Sequence, residues 1–294
     1  MSDSRDRTTL AILAAAATGI QVGAAITATR FAVDMVGPAS LALRHAIGAA
    51  CLAPVLLSGR MRFARDDILP IALLGIGQFG VLIALLNFGL KSVPSARAAL
   101  IFATFPMLTL LFAALVGQER LTVAKTAGVA LTILGVGFAL GDKTLSSAQS
   151  WTGELAVLAS ALVGAVCSVL CRPYLKRYPA LPVSAFAMLA AVLALAVPAA
   201  LDDLFTAVPR LNAAGWAAVV FIGLSSGGGY VLWLWALANT SATRVTVFLS
   251  LSPITAAVLG ALLLGEPVSA TMLAGLACVM AGLWLANREP GISS

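Results

Sequence analysis

The 294-residue sequence is short of charge: Asp, Glu, Lys and Arg make up 10% of it, against about 25% in an ordinary soluble domain. That scarcity excludes a soluble globular protein. Histidine occurs once, as His45. A single imidazole cannot build a two-histidine metal site, and no H-E-x-x-H pattern is present, so a membrane metalloenzyme has no ligand set. Neither a metal, a cofactor nor a catalytic constellation is expected. The four cysteines, Cys51, Cys167, Cys171 and Cys278, all fall inside apolar runs and form no disulfide framework. Cys167 and Cys171 share a helix face but have no His or carboxylate beside them, so space-filling thiols are the expectation. Acidic residues are missing from the middle of every apolar run, whereas proton-driven export of cations ordinarily uses a buried carboxylate. Long connections are missing too. The longest, about Gly141 to Thr152, is too short to hide a catalytic or nucleic-acid-binding domain.

What remains is apolar. Hydrophobic residues make up 61% of the chain, gathered into ten runs at roughly 10–29, 40–58, 68–90, 95–116, 122–140, 153–171, 182–201, 213–237, 243–264 and 269–287. Each approaches the ~20 residues that cross a ~30 Å hydrocarbon core as helix. Hydrocarbon cannot solvate backbone groups, and continuous rather than alternating hydrophobicity selects helices over a barrel. The predicted fold class is therefore an all-α polytopic membrane protein of ten transmembrane helices, with the lipid bilayer as its partner. The net charge of +6 reads as loop charge that orients the chain, not as a nucleic-acid surface. With the N-terminus inside, twelve Lys and Arg fall on inside segments and five on outside ones, and Arg44 lies within a span. Both termini are expected in the cytoplasm.

The chain also repeats itself. A shift of 147 residues carries Leu90 onto Leu237, Arg97 onto Arg244, Pro106 onto Pro253, Glu119 onto Glu266, Gly128 onto Gly275 and Gly135 onto Gly282. Arg, Pro and Glu are scarce here, so three of them coinciding in one register marks a duplication. The halves 1–147 and 148–294 are predicted to be five-helix repeats. An odd number of spans inserts the second copy upside down, the inverted-repeat architecture of many secondary transporters, with a site near the midplane.

Polar groups at depth are the candidate site residues. Thr18 and Gln21 share a face of the first span, and an amide is costly against lipid, so Gln21 should face helices or water. The second span holds Arg44, which could snorkel, and His45, which could titrate near neutral pH and couple transport to protons or simply be a satisfied hydrogen-bonding group. Gly75 to Gly80 spells G-x-G-x-x-G, but inside an apolar run it is a packing element and not a dinucleotide fingerprint. Gln78 at its centre matches Ser225 through the repeat, and the two are expected to face one cavity. In the fourth and ninth spans, Pro106 and Pro253 free the carbonyls of Phe102 and Leu249 and bend the helix. Thr243, Thr246, Ser250 and Pro253 form one face of the ninth, matched by Ala96, Ala99, Ala103 and Pro106. Glu119 and Glu266, just past these spans, are expected to cap the next helix or form interfacial salt bridges, with Arg120 close to Glu119. The eighth span carries Ser225 and Ser226, then Gly227, Gly228 and Gly229, where unwinding or flexing is expected. Ser226, Tyr230 and Trp233 share a face suited to an aromatic or amphipathic solute. The pairs Gly19/Gly23 and Gly223/Gly227 are expected to serve internal packing.

Ten spans in two inverted copies, Leu43-Arg44 in the second span, a proline inside the fourth and ninth and a Glu ending each resemble the EamA branch of the drug/metabolite transporter superfamily. The resemblance covers essentially the whole chain. It implies a bacterial inner-membrane exporter of small metabolites, often amino acids, working by alternating access, with the aromatic amino-acid exporters the nearest likeness; a drug or nucleoside-like exporter is the alternative. The expected cavity draws on spans 1, 3, 4, 6, 8 and 9. Its candidate substrate-binding residues are Gln21, His45, Gln78, Ser225, Ser226, Tyr230, Trp233 and Ser250. Pro106, Pro253 and Gly227 to Gly229 are the candidate hinges.

Overall fold

The structure, a computed structural model, describes residues 2–36, 40–54, 63–141, 151–201, 212–240, 244–245 and 248–287. Every regular element among them is helical. In chain order the first half holds α1 (Ser2–Val36), α2 (Ser40–Cys51), α3 (Arg65–Leu90), α4 (Ser95–Leu115) and α5 (Val123–Gly141). The second holds α6 (Trp151–Arg177), α7 (Ala180–Leu201), α8 (Ala213–Asn239), α9 (Phe248–Leu264) and α10 (Ala270–Asn287). Stretches within α1, α3, α4, α6 and α8 are long and apolar enough to cross a membrane, and α5, α7, α9 and α10 contain shorter apolar helices.

The bundle is apolar outside and partly polar inside. Leu69, Leu115, Val123, Leu262 and Leu263 are exposed on its outer faces, as a lipid-bathed surface requires. Its interior is rich in small residues, among them Ala15, Ala98, Ala99, Ala161, Ala165 and Ala256. Lipid tails are as apolar as leucine, so helices in a membrane gain little from burying leucine on each other and associate through close packing instead. Several buried hydroxyls are satisfied along their own helices. Thr18 donates to the Ala14 carbonyl at 2.8 Å, Thr132 to Gly128 at 2.9 Å and Ser184 to Ala180 at 2.8 Å.

Close packing is clearest where α5 crosses α10. A Cβ added to Gly135 would lie 2.6 Å from the Gly275 carbonyl oxygen, and one added to Gly282 would lie 2.5 Å from that of Gly128. These are the glycines that the 147-residue shift pairs, and their order shows that the two helices run antiparallel. The G-x-x-x-G pairs also pack internally: Gly19 and Gly23 lie against Phe248 and Ser252 of α9, and Gly223 and Gly227 against Ile47 and Gly48 of α2.

Contacts between the halves recur in matched pairs. α1 packs on α8 and on α9, α6 packs on α3 and on α4, and α2 on α8 is answered by α7 on α3. Adding or subtracting five turns each of these contacts into another.

Charged groups sit at the helix ends. Arg97 near the start of α4 pairs with Glu154 of α6 at 2.5 Å, and both are largely buried. Removing one partner of such a pair leaves an uncompensated charge, at a cost of about 3–5 kcal/mol. Asp67 of α3 accepts from Arg177 at 3.0 Å and from the Tyr178 hydroxyl at 2.6 Å, which joins α3 to the end of α6. Glu266 does not cap the following helix as expected. Its carboxylate accepts from the Ser95 backbone N–H at 3.0 Å and from the Ser95 hydroxyl, so it caps α4 in the other half, where the helix dipole favours an anion. Glu119 forms a salt bridge with Lys125 at 2.9 Å rather than with its neighbour Arg120.

Substituting Gly135 by Val should destabilise the protein by about 1–3 kcal/mol through overpacking at the α5–α10 crossing. Gly137, where an added Cβ meets nothing within 4 Å, should accept Val with a change within about 0.5 kcal/mol. Thermal unfolding of the two variants in detergent checks the contrast.

Candidate substrate cavity

Three helix irregularities shape the interior. In α3 the segment Ile76–Val81 is a π-helical turn with Gln78 in it, and the Leu82 N–H bonds the Gly77 carbonyl five residues back. Such turns insert an extra residue into a helix and are frequent at functional sites. The G-x-G-x-x-G stretch, Gly75 to Gly80, thus overlaps the π turn. In α4 the helix breaks at Ala103–Thr104 and restarts at Phe105. α9 begins with a 3₁₀ turn, Phe248–Ser250, before its α-helix. The matched residues Ala103 (φ −67°, ψ −4°) and Ser250 (φ −63°, ψ −15°) have nearly the same backbone conformation. Both lie three residues before the proline, so the duplicated proline produces a duplicated break.

These breaks border an open cavity. α1 lines it with Thr18, Gln21, Val22, Ala25, Ile26 and Thr29, and α3 adds Gln78, Phe79, Leu82, Ile83 and Leu86. α8 contributes Ser225, Ser226, Gly229, Tyr230 and Trp233, while Phe102 and Phe105 of α4, Leu249 of α9 and Arg44 of α2 complete the wall. Phe102 and Leu249 are the residues whose carbonyls lose a helical hydrogen bond to proline. The aromatic groups touch one another in edge-on pairs: Phe79 meets Tyr230 at a centroid distance of 4.1 Å, and Phe105 meets Trp233 at 5.9 Å. Offset and edge-on geometry is the favoured one for ring quadrupoles.

Six of the eight candidate residues therefore come together: Gln21, Gln78, Ser225, Ser226, Tyr230 and Trp233. Gln78 and Ser225, related through the repeat, face the same space. His45 and Ser250 are not part of the wall. His45 is fully buried, with its ring edge-on to Phe79 at 5.8 Å, and Phe79 takes the position on the cavity. Ser250 is buried beside Leu249, which faces the cavity in its place because successive helical residues point about 100° apart. Thr243 and Thr246 lie outside the described residues.

Unwinding expected at Gly227 to Gly229 is absent, because α8 runs as one α-helix from Ala213 to Asn239. Two of the glycines there make room for neighbours: Gly227 lies against Gly48, and a Cβ on Gly229 would strike the Gln21 amide, whereas one on Gly228 would meet nothing within 4 Å. α6 supplies no wall residue. Gly164 packs directly on the Phe105 ring and on Leu82, and those two side chains stand between α6 and the cavity. Arg44 does not snorkel to a surface but is buried in the wall. Phe79, Phe102 and Phe105 are wall residues that the sequence does not mark, because a phenylalanine in an apolar run carries no polar signature. The adjacent signals, Gln78 and the proline-freed carbonyl of Phe102, were the only pointers to them.

An all-helical bundle with an apolar exterior and an interior cavity set with a few polar groups defines a membrane carrier of small molecules. The model of the EamA-like transporter family matches the chain twice, over residues 9–141 and 151–288. The chain belongs to that family, and hence to the drug/metabolite transporter superfamily. It is 32% identical over 287 residues to a probable terminal-alkyne amino-acid exporter of Streptantibioticus cattleyicolor, covering 95% of this chain and 94% of that one. An uncharacterized transporter of Archaeoglobus fulgidus is 27% identical over 269 residues, covering 91% of this chain and 95% of its own. A probable amino-acid metabolite efflux pump of Salmonella typhimurium is 25% identical over 222 residues, 72% of this chain and 73% of that one. A solved crystal structure superimposes with a TM-score of 0.66 at 23% identity, covering 93% of this chain and 96% of that chain, and so shares its fold.

Replacing Gly229 by Ala should drive the Gln21 amide into the cavity and lower solute transport several-fold while leaving the amount of folded protein unchanged. Flux measured against the quantity of monodisperse protein tests this.

Proposed function

We propose that the protein is a secondary transporter that exports amino acids with aromatic or hydrophobic side chains across the bacterial inner membrane by alternating access. The cavity carries this reading. Its five aromatic side chains suit an apolar or aromatic side chain, and Gln21, Gln78, Ser225 and Ser226 offer hydrogen bonds to a polar head group. Amino-acid export is also what the names of two of the relatives say of those proteins.

In this proposal residues 1–147 and 148–294 are inverted repeats, with both termini in the cytoplasm. The antiparallel crossing of α5 with α10, the antiparallel pairing of α4 with α9 through Ser95 and Glu266, and the matched contacts between the halves support it. An in-plane two-fold axis reverses each helix relative to its copy. The breaks before Pro106 and Pro253 act as hinges, because a helix missing a hydrogen bond bends there at little cost. Gly227 to Gly229 let α8 slide against α1 and α2.

Protein-dependent efflux from proteoliposomes is the test. Vesicles are loaded in turn with radiolabelled phenylalanine, tryptophan, methionine, threonine and a purine nucleoside, with and without a pH gradient. Flux of the aromatic amino acids is expected; flux of the nucleoside alone would replace this reading with the nucleoside one. Pro253→Ala should slow efflux several-fold while leaving solute binding within about twofold. Protons are the proposed coupling ion through His45, so His45→Gln should abolish any dependence of efflux on the pH gradient, and an undiminished dependence would assign coupling elsewhere.

A further inference from the structure

The cavity wall carries one formal charge among its described residues, and that charge is Arg44. No Asp or Glu among the described residues lines the space. Arg44 is 5% exposed, and its Nη1 donates to the Thr29 hydroxyl, itself a wall residue, at 3.2 Å. The Nε is buried without an acceptor. Among the described residues no carboxylate reaches the guanidinium. Yet the other buried arginine near a helix start, Arg97, is paired with Glu154, so this bundle does supply counter-ions where a guanidinium is structural.

A buried cation without a counter-ion is costly. The cost falls if a solute entering the cavity brings the anion. A guanidinium holds its N–H donors in a rigid planar fork that matches the two oxygens of a carboxylate. Of its five N–H bonds, one is committed to Thr29, and that bond orients the fork.

We propose that Arg44, positioned by Thr29, binds the carboxylate of the transported solute. The site then takes aromatic or apolar carboxylates, amino acids among them, and rejects compounds of the same shape in which that group is neutral. The solute's apolar part lies against Phe79, Phe105, Tyr230 and Trp233, which share the cavity with Arg44. Cationic drugs and nucleosides lack the matching group and are disfavoured. This inference rests on the carrier reading of the same cavity and adds the residue that selects the substrate class.

The probes are phenylalanine, 3-phenylpropionate and phenylalaninamide, which share a ring and differ in whether a carboxylate is present. Binding is read as the ligand-induced rise in melting temperature of the purified full-length protein in detergent, and transport as efflux of the labelled compounds from proteoliposomes. In the wild type, phenylalanine and 3-phenylpropionate should raise the melting temperature, and phenylalaninamide should bind at least tenfold more weakly. Arg44→Lys should weaken carboxylate binding about tenfold, because a point charge lacks the fork. Arg44→Gln should abolish the preference for carboxylate over amide. Thr29→Val keeps the charge and frees the fork, so it should weaken carboxylate binding several-fold; with the wild-type comparison it decides the matter even if Arg44→Gln fails to fold. Equal binding of phenylalanine and its amide by the wild type, or an Arg44→Gln protein that keeps the carboxylate preference, overturns the proposal. So does the absence of a shift with all three compounds. Carboxylate-selective binding without flux of any compound would uphold the anchor and overturn the carrier reading. Flux indifferent to the carboxylate would do the reverse.

Discussion

Hydrocarbon offers no hydrogen-bond partner, and that constraint organises the whole molecule. Each helix must close most of its own backbone ladder, buried hydroxyls gain by turning back onto their own helix, and helices must approach closely enough for dispersion forces to hold them. The hydroxyls of Thr18, Thr132 and Ser184 accordingly bond the carbonyl four residues back on their own helix. α5 and α10 approach through Gly135 and Gly282, where an added Cβ would strike the carbonyls of Gly275 and Gly128 respectively. Against such a background, each departure from a closed ladder is conspicuous. Three of the departures, the π turn around Gln78 and the breaks before Pro106 and Pro253, border one cavity.

The cavity is divided by chemistry. Aromatic rings from α3, α4 and α8 make an apolar surface, while amides and hydroxyls from α1, α3 and α8 supply neutral hydrogen-bonding groups. Arg44 adds the charge, entering from α2. No contributing residue needs to sit on a loop. All stand on helices fixed by close packing, which holds polar groups in place where a misplaced one would be expensive. The charged pairs Arg97–Glu154 and Asp67–Arg177, with the Glu266 cap on Ser95, tie helix ends together away from this centre. They join different helices without crossing the cavity, so the bundle ends are held while the middle stays open.

Much of the site was legible because polarity at membrane depth is rare. Gln21, Gln78, Ser225, Ser226, Tyr230 and Trp233 stood out against apolar surroundings, and the structure places all six on one wall. The same rule misplaced His45 and Ser250. Depth along a helix can be counted from sequence, but azimuth relative to neighbours cannot: His45 points behind Phe79, and Ser250 is buried beside Leu249. The glycine triplet misled for a related reason. Low helix propensity predicts unwinding, whereas tertiary packing uses those glycines as space for Gly48 and Gln21 and keeps α8 intact.

The solvent, the helical class, the recurrence of scarce residues and the family resemblance are all legible along the linear chain. Those follow from composition, from the length of the apolar runs and from scarce residues recurring in register, all of which are properties of a chain read along one dimension. Packing in three dimensions settles that α6 is screened from the cavity while α2 reaches it, that Glu266 caps a helix 171 residues away, and that Arg44 is buried in the wall, donating to Thr29. Which side chains meet depends on the rotation and crossing of helices, and that is settled by steric fit between surfaces far apart in the chain.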